Sequence, residues 1–203
     1  MAKSHLKLVA PAGKIPTVRT PRRRRNGEYR TREHLTQAEV ERLIEATTSH
    51  RDATMILLAF RHGLRAAELV DLRWDQIDFE MGVLHVRRAK AGTPATHPLT
   101  GRELRALRRL QRETEPSTHL FMSERKAPIS VDGFQKMVER LSTRAKLGFP
   151  VHTHMLRHAC GFKMANDGVD TRTIQAYLGH KDIRHTVRYT ELSPVRFKGL
   201  WRD

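Results

Sequence analysis

VHTHMLRHACG, residues 151–161, gathers three histidines, an arginine and the only cysteine of the chain into one short stretch. Two chemistries fit it: a cluster of metal ligands, or a helix face built to handle a phosphate. His154 and His158 have the i, i+4 spacing of two zinc ligands on a helix, but Met155 stands where the H-E-x-x-H pattern has its glutamate. Cys160 and His152 could complete a structural site, yet Arg157 would set a fixed positive charge beside the ion. The phosphate reading is the better one, and no metal or other cofactor is expected. On that reading His154 and Arg157, at i and i+3, share one face of a helix.

Composition agrees. The chain has 203 residues, with 38 Lys and Arg against 22 Asp and Glu, for a formal net charge of +16. An excess of that size predicts a polyanionic partner, nucleic acid first. A single cysteine excludes an internal disulfide and fits a reducing interior. No apolar run approaches the roughly 20 residues of a membrane helix, and the N-terminus lacks a signal-peptide core. The expectation is a soluble, intracellular protein.

Residues 1–34 differ from the rest of the chain: ten Lys or Arg against two Glu, three prolines, and the run Arg22, Arg23, Arg24, Arg25. They predict a flexible basic arm that contacts DNA phosphates or enters the minor groove. From residue 35 the pattern is helical. Thr36 and Glu39 form a capping box, and Val40, Leu43 and Ile44 fall on one face. A second helix spans about 51–62 and stops at Gly63; a short third runs from Ala66 to Leu72. Residues 82–87 alternate like a strand, Lys90-Ala-Gly-Thr-Pro94 supplies a turn, and residues 95–99 return. Pro98 cannot donate to a ladder and belongs at an edge or a strand end. Helices continue near 101–112, 131–146, 153–166, 171–178 and 182–189. The fold class is mainly α with a small antiparallel β-sheet (α+β).

Four polar clusters interrupt these helices: Gly63-Leu-Arg65-Ala-Ala-Glu68-Leu, the hairpin with Lys90, His154-Met-Leu-Arg157-His158, and Leu178-Gly-His180, with Tyr189 nine positions after that last histidine. Together, in this order, they resemble the tyrosine recombinase (phage integrase) family over about residues 35–190. The resemblance implies the catalytic domain fold of that family and DNA cleavage without metal or ATP. Arg65 and Arg157 would hold the non-bridging phosphate oxygens and stabilise the charge of the transition state. Tyr189 would attack phosphorus to give a 3′-phosphotyrosyl link, with His154 accepting its proton. Lys90 would protonate the leaving 5′-oxygen, and His180 would hydrogen-bond the phosphate. Arg87 and Arg88, beside the hairpin, are expected DNA contacts. Glu68 reads as structural, holding Arg65 or capping, and His152 and His158 as packing or hydrogen-bonding residues. Tyr189, flanked by Arg188 and Thr190 with no apolar stripe around it, does not read as a core aromatic.

The shortness of the chain, together with residues 155–162 and 183–190, is similar to the small invertases that flip fimbrial promoters in bacteria. That likeness implies a bacterial source, a cytoplasmic, nucleoid-associated location and phase variation, with double-stranded DNA carrying inverted-repeat sites as partner, a homotetramer on DNA, and possible accessory DNA-bending proteins. A mobile-element integrase or excisionase, a relaxing enzyme like a type IB topoisomerase, and a non-catalytic regulator of the same fold are the alternatives. Residues 191–203 form a tail with Val195, Phe197, Leu200 and Trp201, which docks on a neighbouring protomer or folds back on its own.

Overall fold

Seven consecutive residues, Thr54–Phe60, are buried, so the helix that contains them is enclosed by its neighbours on every side. The structure is a computed structural model that describes residues 33–89 and 93–197. The arm arginines Arg22, Arg23, Arg24 and Arg25, and the hairpin residue Lys90, lie outside them. Glu33 and His34, expected in the arm, belong to the folded unit: His34 stacks on Phe162 at 3.8 Å and Glu33 pairs with Arg188.

The first helix, α1 (Gln37–Glu45), starts as the sequence predicts, with the Thr36 hydroxyl and the Glu39 carboxylate capping each other's backbone N–H. Val40 and Leu43 face inward onto α2 (His50–Arg61). After Gly63 the short α3 (Ala66–Val70) leads through a 3₁₀ turn, Trp74–Gln76, into the sheet. Its strands β1 (Ile77–Asp78), β2 (Val83–Val86) and β3 (Ala95–Pro98) pair antiparallel in the order β1-β2-β3. Pro98 ends the edge strand β3 opposite Val83, where its missing donor costs nothing. The two-residue β1 is too short to leave a periodic signal in the sequence; Gln76 ties its approach to β2 by donating to the His85 carbonyl at 2.7 Å.

The remaining helices are α4 (Gly101–Glu113), α5 (Val131–Arg144), α6 (His154–Asn166), α7 (Thr171–Leu178) and α8 (Arg184–Glu191). Helix α2 packs on α1, α4 and α6, and α6 in turn carries α7 and α8. The hairpin is docked by a buried polar layer. His97 of β3 stacks on Tyr177 of α7 at 3.7 Å and meets His62 at 3.2 Å, while His62 reaches Glu103 of α4 at 2.8 Å. Burial, then the neighbouring His62 and Arg88, hold the His97 imidazole down to about 3, so this layer stays neutral at His97. Among the described residues no helix is long and apolar enough to cross a membrane. Past α8, a 3₁₀ turn at Pro194–Phe197 packs on α6 and α8 of the same chain, and the Ser193 hydroxyl donates to the Ala165 carbonyl at 3.1 Å. The tail therefore folds back in cis at least to Phe197.

Gly63 fixes the junction on which the site is built. Its φ is +56°, in the left-handed region, and an added Cβ would lie 2.3 Å from Leu178 Cδ2 and 3.3 Å from Cys160 Sγ. Backbone strain and overpacking each cost about 1–3 kcal/mol. Gly63→Ala should therefore lower stability by about 2 kcal/mol or more, seen as a lower urea midpoint with an unchanged slope.

Candidate active site

Helix α2 ends at the junction just described, and the next residue to leave the core is Arg65, the N-cap of α3. Its backbone N–H donates to Glu68 Oε2 at 3.0 Å and its guanidinium to Oε1 at 2.6 Å, so one turn of helix holds both ends of the residue. The Arg65 side chain stays 27% exposed while that of Glu68 is 1% exposed. Glu68 accepts more than a cap requires. Arg88 donates to Oε2 at 2.9 Å, the Ala89 N–H to Oε1 at 3.0 Å, and Arg157 stands 3.9 Å from Oε2. Burial pushes the Glu68 carboxyl up, but the Arg65 N–H, Arg88 and the Arg65 guanidinium outweigh it and leave the group below its ordinary range.

Arg88, expected on the DNA-facing surface, is buried. Besides Glu68 it donates to the Tyr177 carbonyl of α7 and, at 3.4 Å, to the His62 carbonyl at the end of α2. A buried guanidinium whose two terminal nitrogens bond three separate segments is a strut and not a DNA contact. The signal was in the strand: Leu84, Val86 and Arg88 alternate inward, His85 and Arg87 outward. Arg87 is exposed, as expected, and pairs with Asp75 at 3.0 Å.

Arg157 leaves the first turns of α6 and is 1% exposed. It donates through one terminal nitrogen to the Gly63 carbonyl and through the other, at 2.6 Å, to the Leu178 carbonyl. It thereby ties the Gly63-Leu-Arg65 and Leu178-Gly-His180 segments to α6. Two of its five N–H donors are engaged by these bonds, and the others remain for a further acceptor. Burial, then Arg65 and Arg88, pull its pKa down to about 10. His180 follows the C-cap Gly179 of α7 and shares a hydrogen bond of 2.9 Å with the Thr186 hydroxyl of α8. Burial and the nearby Arg157 and Arg65 hold it neutral, down to about 3.

Tyr189 lies in the middle of α8 and, against the sequence expectation, is 1% exposed. The polar neighbours Arg188 and Thr190 concealed this because its apolar surroundings come from α6: the ring meets Phe162 edge-on at 5.0 Å and lies over Gly161. Its hydroxyl hydrogen-bonds His158 Nδ1 at 2.8 Å. Burial raises the phenol pKa, while Arg157 and Arg188 oppose that. His154, the proton acceptor expected from its offset to Arg157, is exposed on the first turn of α6, with its ring edge-on to His158 at 4.4 Å. The residue that meets the tyrosine hydroxyl is thus the second histidine of the HTHMLRH helix start counted from His154, a position the sequence marks for packing or hydrogen bonding. Cys160 is buried among these elements with its thiol pushed up to about 12. Among the described residues no group of three or more His, Cys, Asp or Glu is placed to hold a metal ion.

The structure therefore brings Arg65, Arg157, His180, Tyr189 and the His154–His158 pair to one place. Comparison with known proteins agrees with it. The pattern of the phage integrase family matches residues 33–196. The type 1 fimbriae regulatory proteins FimE and FimB of Escherichia coli (strain K12) are each 40% identical, covering 84% and 86% of this chain and 91% and 92% of theirs. Among solved structures, XerA recombinase superposes with a TM-score of 0.72 at 25% identity, over 82% of this chain and 63% of that one. XerH recombinase bound to its difH substrate superposes with a TM-score of 0.70 at 21% identity, over 82% and 52%. The chain spans less than two thirds of either of these larger recombinases, and the second likeness speaks for the fold alone. The four motifs met in the sequence, the convergence of three of them with the tyrosine in the fold, and the match to nearly all of FimE and FimB agree: this chain belongs to the phage integrase family and is a DNA-acting tyrosine recombinase.

Proposed function

We propose that the chain inverts a DNA segment between inverted-repeat sites, cleaving each strand through a covalent bond between Tyr189 and the 3′-phosphate. The observation that carries the chemistry is the placement of the Tyr189 phenol within the field of Arg157 and Arg65, with His180 beside its ring at 6.3 Å. Arg65 offers its outward guanidinium to a scissile phosphate, and Arg157 offers its remaining donors from beneath. Both would neutralise the charge that grows on the non-bridging oxygens in the transition state, in a site where burial magnifies such interactions. His154 and His180 would complete the phosphate's hydrogen-bonding shell. Lys90, from the hairpin, is proposed as the acid at the leaving 5′-oxygen. The covalent link conserves the phosphodiester's bond energy, so strands rejoin without ATP.

Inversion is preferred over integration because the 40% identity with FimE and FimB extends over nine tenths of those proteins. The arm arginines Arg22, Arg23, Arg24 and Arg25, and Arg87 beside the hairpin, are proposed phosphate contacts. Four copies would assemble on two duplexes, with accessory DNA-bending proteins where the sites lie close. Leu192 and Phe197, 69% and 55% exposed, support contact with a second copy.

Incubation with a nicked suicide duplex bearing the site should trap a covalent adduct that Tyr189→Phe abolishes, and a plasmid with two inverted sites should show the segment flipped. An adduct without strand exchange would favour a relaxing enzyme. Leu192→Ser with Phe197→Ser should leave half-site binding within about twofold and reduce the four-subunit complex in a gel-shift assay. Glu68→Gln leaves buried guanidiniums without their counter-charge, a loss of about 3–5 kcal/mol, and should slow adduct formation as well. Since the folded Glu68 carboxyl is held below its ordinary 4.5, its stabilisation is full above that value and is lost as pH falls through the folded value. The stability gap between wild type and Glu68→Gln, followed by urea unfolding, should therefore narrow from pH 7 to pH 3.

A further inference from the structure

Tyr189 rests in a seat that α6 is shaped to provide. An added Cβ at Gly161 would stand 2.7–2.8 Å from three atoms of the tyrosine ring, so only glycine lets the ring lie this close to the helix. Phe162, the next residue, closes one side edge-on. One turn earlier on the same helix is His158, whose Nδ1 lies 2.8 Å from the phenol oxygen, with the two rings inclined at 61°. Glycine, phenylalanine and histidine at i+3, i+4 and i thus fix the ring's height, its tilt and the point where its hydroxyl lands.

We infer that His158 takes the phenolic proton of Tyr189 during strand cleavage and returns it on rejoining. The inference rests on the reading of Tyr189 as nucleophile. The Tyr189 Oη–P bond forms and the P–O5′ bond breaks. The phenol proton passes to His158 Nδ1, whose ring carries its own proton on Nε2, and the leaving 5′-oxygen takes a proton from an ammonium group or water on its own side. Rejoining runs the same transfers in reverse. His158 then counts as a catalytic residue, since it touches the reacting oxygen.

The groups that face His158 set its basicity in the free protein. From α6 these are His154, Arg157 and His152; from the turn after α7, His180; from α8, Tyr189 itself. None is an anion. Burial, then His154 and Arg157, hold the imidazole down to about 3, too weak a base to activate a phenol whose own pKa is raised. A phosphodiester on Arg65 and Arg157 would add the missing negative charge and raise the basicity of His158 at the moment it is needed.

The test is the rate of adduct formation on a suicide duplex between pH 6 and 9.5, using the full chain and His158→Asn. Asparagine can keep a hydrogen bond to the phenol without acting as a base, so half-site binding and the thermal midpoint should stay near wild type. At pH 7 the variant should be slower by roughly 10²–10⁴-fold, the usual contribution of a positioned base. Its rate should climb about tenfold per pH unit across this range, because only phenolate formed by solvent can attack and burial holds the phenol above its ordinary range, while the wild type levels off. His154→Asn should keep the levelled profile. A His158→Asn enzyme with wild-type rate, or one that is slow but keeps the wild-type profile, overturns the inference; so does a climbing profile moved to His154→Asn. A wild type that forms no adduct at all removes the recombinase reading itself and the inference with it.

Discussion

One buried carboxylate organises the charge of this site. Glu68 lies among Arg65, Arg88 and Arg157, in a chain with sixteen more positive than negative formal charges. Taking one guanidinium out of water costs several kcal/mol, and like charges packed together add to it. The arrangement persists because Glu68 pairs with two of the three at hydrogen-bond distance and lies near the third. It also receives two backbone N–H groups, so its own oxygens are satisfied. The division of labour follows from exposure: Arg88 spends itself on structure, Arg65 keeps a face to solvent, and Arg157 stands between, anchored yet with donors to spare.

Arg157 extends that order to the backbone. Its two terminal nitrogens reach the Gly63 and Leu178 carbonyls, from segments more than a hundred residues apart in sequence. Gly63 and Leu178 are themselves in close approach, so the guanidinium locks a junction that packing already brings together. The first arginine motif and the Leu-Gly-His turn cannot shift independently of α6. Were the site to hold a phosphate in line with Tyr189, as proposed, it would gain from such coupling, since a displacement of about 1 Å can cost two orders of magnitude in rate.

Most of the helices were legible because each shows a capping residue, an apolar period or a terminal glycine, and the hairpin because its alternation and turn chemistry are local. The residues that converge in the fold, Arg65, Arg157 and His180, stood out as motifs because their spacing along α3, α6 and the α7 turn is a matter of a few residues. What the sequence concealed was tertiary. Tyr189 has polar neighbours on its own helix and is buried by residues of α6, so no window around it betrays its burial. Arg87 and Arg88 look alike as letters; only the inward phase of Leu84 and Val86 separates them, and that phase continues past the point where the strand pattern ends. His154 and His158 are both histidines near Arg157, and which of them meets the tyrosine depends on where α8 crosses α6, a relation set by Gly161 and Phe162.

The burial of Tyr189 and the choice of histidine bear on one another. If Tyr189 were exposed, its neighbours could be judged from α8 alone, and His154 would be the natural base. Because it is covered, its surroundings are those of α6 and the α7 turn: the His158 and His180 imidazoles, both held neutral, and the Arg157 guanidinium. Such a pocket disfavours charging His158, and burial disfavours ionising Tyr189, so the proton between them has no reason to move in the free protein. On the proposal above, DNA would supply a phosphate whose negative charge balances Arg65 and Arg157 and favours an imidazolium at His158. On that proposal, the same excess of positive charge that predicts a polyanionic partner also keeps Tyr189 protonated until the partner is bound.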